Sequence, residues 1–410
     1  MDSNTKMVWG LPRPIWILSL VGLLINLSTI MVFSLMPTFM ESELGATKTT
    51  VGRIDGFVEF IAYIIRIFSG VTADVFQNRK FVLGIGYGFS ALVKPLFALA
   101  GSVVWIFWIR VLDRLSNGIQ ASPRDALIGD IAPKADRGAC YGLAKSLKTA
   151  GSCIGTLLTI VLMGWSDNDY RLLFNIAFVP AVLAFLLLIF SVREPKHRNK
   201  FIEETPKKGQ AVVHVPKFRW RMFLELNWNY WKIIILAFIF HLAHFGESYL
   251  TFRGVDAGLK ETFIPMVMFL FNLGQFFVSY PLGWLSDRVP RRMILMVGFL
   301  FMCAASLMMG HSDNLYYVLI GVFLWGAQMG TTQNVLVSLI SDTTAQYIRG
   351  TAFGIFYAVL GVCIWVSSWF AGDIWDYYGH EVLFTISALI SVVSCGFIFL
   401  LIPKNIRKLA

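Results

Sequence analysis

Apolar runs long enough to cross a bilayer dominate this chain, and short charged stretches separate them. A membrane span needs about 20 apolar residues. Twelve can be read, at roughly 15–40, 51–73, 81–100, 102–128, 138–164, 169–192, 231–253, 261–284, 292–310, 314–340, 348–371 and 381–402. Of 410 residues, 56% are apolar and 15% charged, whereas soluble domains carry nearer a quarter charged residues. Most of the chain must therefore meet lipid or other buried helices, and an all-α membrane protein is expected. The first run is too long for a signal-peptide core and shows no obvious small-residue cleavage site, so it reads as a retained span.

The net charge of +10 raises the question of nucleic acid, but the distribution of charge answers it. Most Lys and Arg lie near one set of alternate loops. That is the asymmetry of an integral membrane protein, not a basic patch for nucleic acid. The longest connection, 193–230, holds Arg193, Lys196, Arg198, Lys200, Lys207, Lys208, Lys217, Arg219 and Arg221, which places it in the cytoplasm. Both termini then lie inside as well, in a cell inner membrane. Trp220, Phe223 and Trp228 alternate with basic residues at its end, a pattern for an interfacial helix. The chain divides into 1–192, a six-span N-terminal domain; 193–230, a basic linker; and 231–410, a six-span C-terminal domain. The five cysteines show no paired spacing and no Cys/His cluster, so neither a disulfide framework nor a metal site is indicated.

Two short segments occur twice, about 212 residues apart. Gly70, Asp74 and Arg79 recur as Gly283, Asp287 and Arg292, with Arg288 beside them. Leu127, Ile128, Asp130, Arg137, Gly138 and Gly142 recur as Leu339, Ile340, Asp342, Arg349, Gly350 and Gly354. An offset of six spans returns each segment to the same side of the membrane, so the halves are parallel, pseudo-symmetric repeats. Gly lets neighbouring helices approach closely. An Asp at a helix end can meet a facing helix N-terminus or an Arg, latching the halves; the basic residues also fix topology.

Twelve spans split six and six by a basic linker, with Gly70–Lys80 and Gly283–Arg292 carrying Gly, three residues, Asp and a basic cluster, resemble the major facilitator superfamily. The resemblance covers nearly the whole chain. It implies two six-helix domains rocking about a central cavity lined by spans 1, 2, 4, 5, 7, 8, 10 and 11. Gly151-Ser-Cys-Ile-Gly155 keeps a GxxxG spacing in span five, without the proline of the Gly-Pro-rich signature that drug-exporting antiporters of this family usually carry. The stretch from Arg110 to Asp130 resembles a bacterial subgroup, some members of which are associated with import of polycarboxylate siderophores of the legiobactin or rhizoferrin kind.

Ionisable groups within hydrocarbon cost several kcal/mol unless paired or hydrated, so each marks a functional candidate. At about 100° per residue, Asp55, Glu59 and Arg66 share a face of span two. Arg110, Asp113, Arg114, Asn117 and Arg124 share a broader face of span four, and Tyr141, Lys145, Lys148 and Ser152 a face of span five. The second half offers His241, His244, Glu247 and Ser248 in span seven, Asn272, Gln275 and Ser279 in span eight, and Gln328 and Thr331 in span ten. Cations outnumber anions on these stripes, which favours an anionic substrate. Glu59 is the more attractive proton carrier, since burial favours the neutral carboxyl and a neighbouring Arg the ionised one. His241 and His244 are alternatives. Structural ion pairs, Asp113 with Arg110 or Arg114 and Arg124 with Asp125, are the competing account of the same charges.

Gly84-Ile-Gly86-Tyr-Gly88 lies inside span three with no strand before it, so it packs helices and binds no dinucleotide. No phosphate loop or nucleophile motif is present. The expectation is a monomeric transporter, not an enzyme and without cofactor or metal. It would move a small organic anion with protons by alternating access. An efflux antiporter and a transporter-like membrane sensor are the alternatives.

Overall fold

The computed structural model describes residues 7–8, 11–75, 79–133, 136–192, 226–286, 289–344 and 348–402. Within these the chain is a helical bundle, apart from a two-residue hairpin, Met7–Val8 with Leu11–Pro12. The first half comprises α1 (Arg13–Phe33), α2 (Met36–Ser42), α3 (Lys48–Val75), α4 (Arg79–Ala98), α5 (Val103–Ile131), α6 (Arg137–Trp165) and α7 (Tyr170–Ser191). The second comprises α8 (Trp228–His241), α9 (Ser248–Asp256), α10 (Pro265–Ser286), α11 (Arg291–His311), α12 (Leu315–Thr343), α13 (Arg349–Tyr378) and α14 (His380–Leu401). Spans one and seven are each broken, as α1 with α2 and α8 with α9, which leaves twelve spans in two repeated sets of six.

Eight of these segments are long and apolar enough to cross a membrane on composition alone. The other four are α3, α5, the α8–α9 pair and α12. These carry much of the charged and polar lining of the interior, which α6 and α10 complete with Lys145, Lys148, Asn272 and Gln275.

Local signals set the boundaries. Ser102 caps α5 by accepting from Trp105 N at 3.3 Å, Asp169 caps α7 through Leu172 N at 3.0 Å, and Asn314 caps α12 through Tyr316 N at 2.9 Å. Gly151 and Gly155 both face α1, where an added Cβ would strike the backbone at Leu23 and Leu27. The GxxxG spacing thus lets two helices meet backbone to backbone.

Within the first half α1 packs on α6 and α7, and α4 on α5 and α7; within the second, α12 packs on α10 and α11, and α11 on α14. The halves meet along two seams, α3 with α13 and α6 with α10. One apolar core runs through both halves. A second, around Leu18, Tyr87, Leu127 and Leu188, fills the first half at the end where α1 begins and α14 finishes, termed the near end.

Span seven departs from the uninterrupted helix expected over 231–253. Its helix stops at His241 and resumes at Ser248. The unwound backbone finds partners on α13: Ser367 Oγ donates to the His244 carbonyl, and Gly246 N donates to Ser368 Oγ at 2.9 Å. A break at membrane depth is tolerable where neighbouring helices supply such partners. Glu247 therefore sits at the break itself.

Candidate functional site

At the far end, opposite the near end, the two halves are tied together. Lys48 Nζ meets Asp256 at 2.9 Å, Arg53 Nη2 meets Asp373 at 2.9 Å, Thr49 donates to Asp376, and Tyr170 donates to Glu261 at 2.5 Å. Deeper in, Ser248 Oγ donates to Asp55, closing the seam beside Gly246. Below this seal α3 and α13 stay in contact through stacked rings, Phe60 on Trp365 at 5.3 Å and Tyr63 on Tyr357 at 6.1 Å.

Under the seal lie two adjoining chambers. The inner one, about 290 Å³, is lined by Asp55, Glu59, Arg110, Arg114, His244, Glu247 and Asn272, with Phe33, Phe245, Phe271 and Trp325 as aromatic walls. The outer one, about 690 Å³, is lined by Arg124, Asp125, Tyr141, Lys145, Lys148, Asn272, Gln275, Ser279 and Asn334. Asn26, Ser152 and Asn272 border both. Asn26 Nδ2 donates to the Lys148 carbonyl at 2.9 Å and to Ser152 Oγ, forming the neck between them. The outer chamber has its mouth at the near end, where Asp125 and Tyr141 are exposed. Lys145 Nζ reaches Asn334 Oδ1 at 3.4 Å across the halves.

The charges of the inner chamber are largely matched. Arg110 pairs with Asp55, and both are almost wholly buried; Arg114 pairs with Glu59, and both keep partial access to the cavity. Both arginines come from α5 and both carboxylates from α3, one helical turn apart on each helix, so the two pairs form successive rungs. The Glu247 carboxyl makes no hydrogen bond or ion pair among the described residues, though it lines the same chamber. Around the outer chamber, Arg124 pairs with its neighbour Asp125 at 3.0 Å, and Lys145 and Lys148 line the same space.

Several sequence expectations are revised by this geometry. Asp113 pairs with neither Arg110 nor Arg114. It turns away from the inner chamber to Lys94 of α4, 2.8 Å away, because the two arginines are engaged by α3. Lys94 is the residue that sequence reasoning missed, although it is the single charged residue between Phe81 and Ala100. His241 bonds its own helix at Ala237 O, 2.8 Å, and stacks on His244. His244 lines the inner chamber and is held by Gln328 Oε1 at 2.9 Å, with Gln328 in turn donating to Thr332 at 2.8 Å. Thr331 donates to its own helix at Ala327 O, and Ser279 likewise at Gln275 O.

Of the near-end motifs, Asp287 and Arg288 lie outside the described residues. Side chains are also not described at Arg66, Gly70, Asp74, Arg79 and Gly283. Arg292 stands over the Phe399 ring at 5.8 Å, and its neighbour Arg291 pairs with Asp342 of the second repeated segment.

Comparison with known proteins agrees with this architecture. The family model of the Major Facilitator Superfamily matches residues 18–264 and 249–409. An uncharacterized MFS-type transporter of Methanocaldococcus jannaschii is 26% identical over 401 residues, covering 96% of each chain. The cis,cis-muconate transport protein of Acinetobacter baylyi is 23% identical over 368 residues, covering 85% of this chain and 84% of its own. Among solved structures, a POT peptide transporter in complex with sulfate superposes with a TM-score of 0.77 at 14% identity, covering 99% of this chain and 97% of that one. The likeness of fold, the duplicated halves and the match over nearly the whole length agree: this chain belongs to the major facilitator superfamily of transporters.

Proposed function

We propose that this transporter imports a small organic anion together with protons. The observation that carries the reading is the make-up of the outer chamber's lining, where three cationic side chains, Arg124, Lys145 and Lys148, stand against the single carboxylate of Asp125. Such a lining concentrates anions. The muconate relative is named for a dicarboxylate, which supports the same class of cargo alongside the cavity's own charge.

The Glu59–Arg114 pair offers a coupling device. An Arg bound to a carboxylate cannot also grip the carboxylate of a substrate bidentately. A proton arriving on Glu59 releases Arg114, and the substrate anion replaces Glu59 as its partner; loss of the substrate restores the original pair. Proton and anion thus enter and leave together. Asp55 is suited to a different part, because it holds Arg110 in its own half and accepts from Ser248 in the other. Opening the far end must break that bond across the halves.

In this reading the near end faces the cytoplasm of a cell with the protein in its inner membrane, residues 1–192 and 231–410 are the two rocking domains, and the monomer suffices. Purified protein in vesicles, loaded with buffer and challenged with a labelled dicarboxylate under an imposed proton gradient, tests it. Uptake should follow the gradient in the wild type, lose its pH dependence in Glu59→Gln, and vanish in Arg114→Ala. Gradient-driven accumulation that survives Glu59→Gln would remove the coupling assignment.

A further inference from the structure

Glu247 is a carboxylate within the membrane span whose side chain forms no ion pair or hydrogen bond among the described residues. Asp55 and Glu59 each have an arginine; Glu247 has none and faces the inner chamber from the break in span seven. A count over that chamber gives three carboxyl groups against two guanidiniums, one more than the arginines pair with. The outer chamber is opposite in sign, with Arg124, Lys145 and Lys148 against Asp125. The two join at Asn26 and Ser152. A cavity that accepted only anions would gain nothing from an unmatched carboxylate at its inner end.

The walls around Glu247 specify what would match it. Phe33, Phe245, Phe271 and Trp325 line the same chamber, and aromatic faces attract a desolvated cation. Carboxylate and aromatic rings together are a setting for an ammonium group. Hydrogen-bond acceptors are also left over nearby: Asn272 Nδ2 is engaged by Met268 O at 2.7 Å, which leaves its Oδ1, and Asn26 likewise donates through Nδ2 and keeps its Oδ1.

We propose that the substrate is a carboxylate that also carries a protonated amine, its ammonium group seated on Glu247 among the inner-chamber rings and its anionic end turned toward Arg114 and the lysines of the outer chamber. The assignment of the anionic end rests on the reading above; the ammonium site is a separate claim. A ligand of this kind meets the extra carboxyl of the inner chamber and the mainly cationic lining of the outer one at once. The break in span seven then has a mechanical consequence. Glu247 precedes α9, whose Ser248 is bonded to Asp55 across the halves, so cargo on Glu247 pulls directly on the inner edge of the seal.

Equilibrium binding to the purified protein, with no gradient imposed, tests this. The probes are 5-aminovalerate, valerate, and N-acetylated 5-aminovalerate, which keeps the length but loses the positive charge. Wild-type protein should prefer 5-aminovalerate over both others by roughly 10–100-fold, and Glu247→Gln should reduce that preference to within about twofold. Equal binding of the three by the wild type overturns the proposal without any variant, as does failure of all three to bind. A preference that persists in Glu247→Gln overturns the assignment to Glu247. The proton-coupling reading fails separately, through loss of gradient dependence in the vesicle assay, and the binding preference does not depend on it.

Discussion

The buried pair between Lys94 and Asp113 allows a test of whether Asp113 serves the cargo or the fold. Lys94 is 1% exposed and Asp113 7%. Their contact is 2.8 Å, and the other hydrogen-bond partners of the two side chains are neutral: Thr29 Oγ1 lies 3.4 Å from Lys94 and Asn117 Nδ2 lies 3.2 Å from Asp113. Removing one partner of such a pair leaves the other charge stranded, at a cost of about 3–5 kcal/mol. Removing both, in Lys94→Met with Asp113→Leu, should cost about 1 kcal/mol or less, since the desolvation penalty disappears with the attraction. Thermal unfolding in detergent, followed by the loss of a monodisperse chromatographic peak, reads the difference. Each single variant should melt roughly 6–10 °C lower at about 2 °C per kcal/mol, and the double variant close to the wild type. The coupling between the two sites would then be nearly as large as the two single effects together. Transport by the double variant should recover with its stability. The reasoning is refuted if Asp113→Asn melts like the wild type yet loses transport, or if the double variant is as unstable as the singles.

Three further outcomes are expected. Gly155→Leu should prevent α6 from meeting α1, because the side chain would enter the Leu27 backbone, and yield should fall far more than for Gly164→Leu, where the nearest neighbour is the end of the Thr262 side chain; expression and chromatographic profile compare them. Arg53→Ala and Asp373→Ala break a half-exposed pair worth at most about 1 kcal/mol, so stability should hardly change. Alkylation of a cysteine introduced at Phe57 from the far side should nonetheless rise, and unchanged labelling would show that this pair does not hold the seal. Arg291→Ala should leave Asp342 without its partner at the near end and slow transport; restoration by the double variant with Asp342→Ala would identify the pair, and wild-type rates in the single variant would dismiss it.

Much of the architecture is legible in the sequence because the bilayer makes helix length and apolarity nearly obligatory. Spans two, four and five each turn part of their stripe to the cavity, through Glu59, Arg114, Lys145 and Lys148. Helical periodicity gives the face of each helix, but it does not give the neighbour that face meets. Asp113 and Arg114 are adjacent in sequence and lie about 100° apart, enough to send one to Lys94 on α4 and the other to Glu59 on α3. The break at 242–247 is hidden for a related reason. The residues that satisfy its backbone, Ser367 and Ser368, are about 120 positions away on α13. Asn26 is a single amide in an apolar run, and its place at the neck depends on the close approach that Gly151 and Gly155 permit.

In the four outermost ties to a carboxylate at the far end, the first half contributes the donor and the second half the carboxylate: Lys48, Arg53, Thr49 and Tyr170 against Asp256, Asp373, Asp376 and Glu261. A freshly duplicated chain would have presented the same residues on both sides of its seam. The present arrangement makes the halves mutually exclusive as partners. Two first halves brought together would set Lys48 and Arg53 against their own copies, and two second halves would oppose carboxylates. Like charges facing one another penalise the wrong match as firmly as opposite charges reward the right one. Each half emerging into a crowded membrane is thereby directed to its companion on the same chain. The charges that shut the far end also record which partner each half is able to accept.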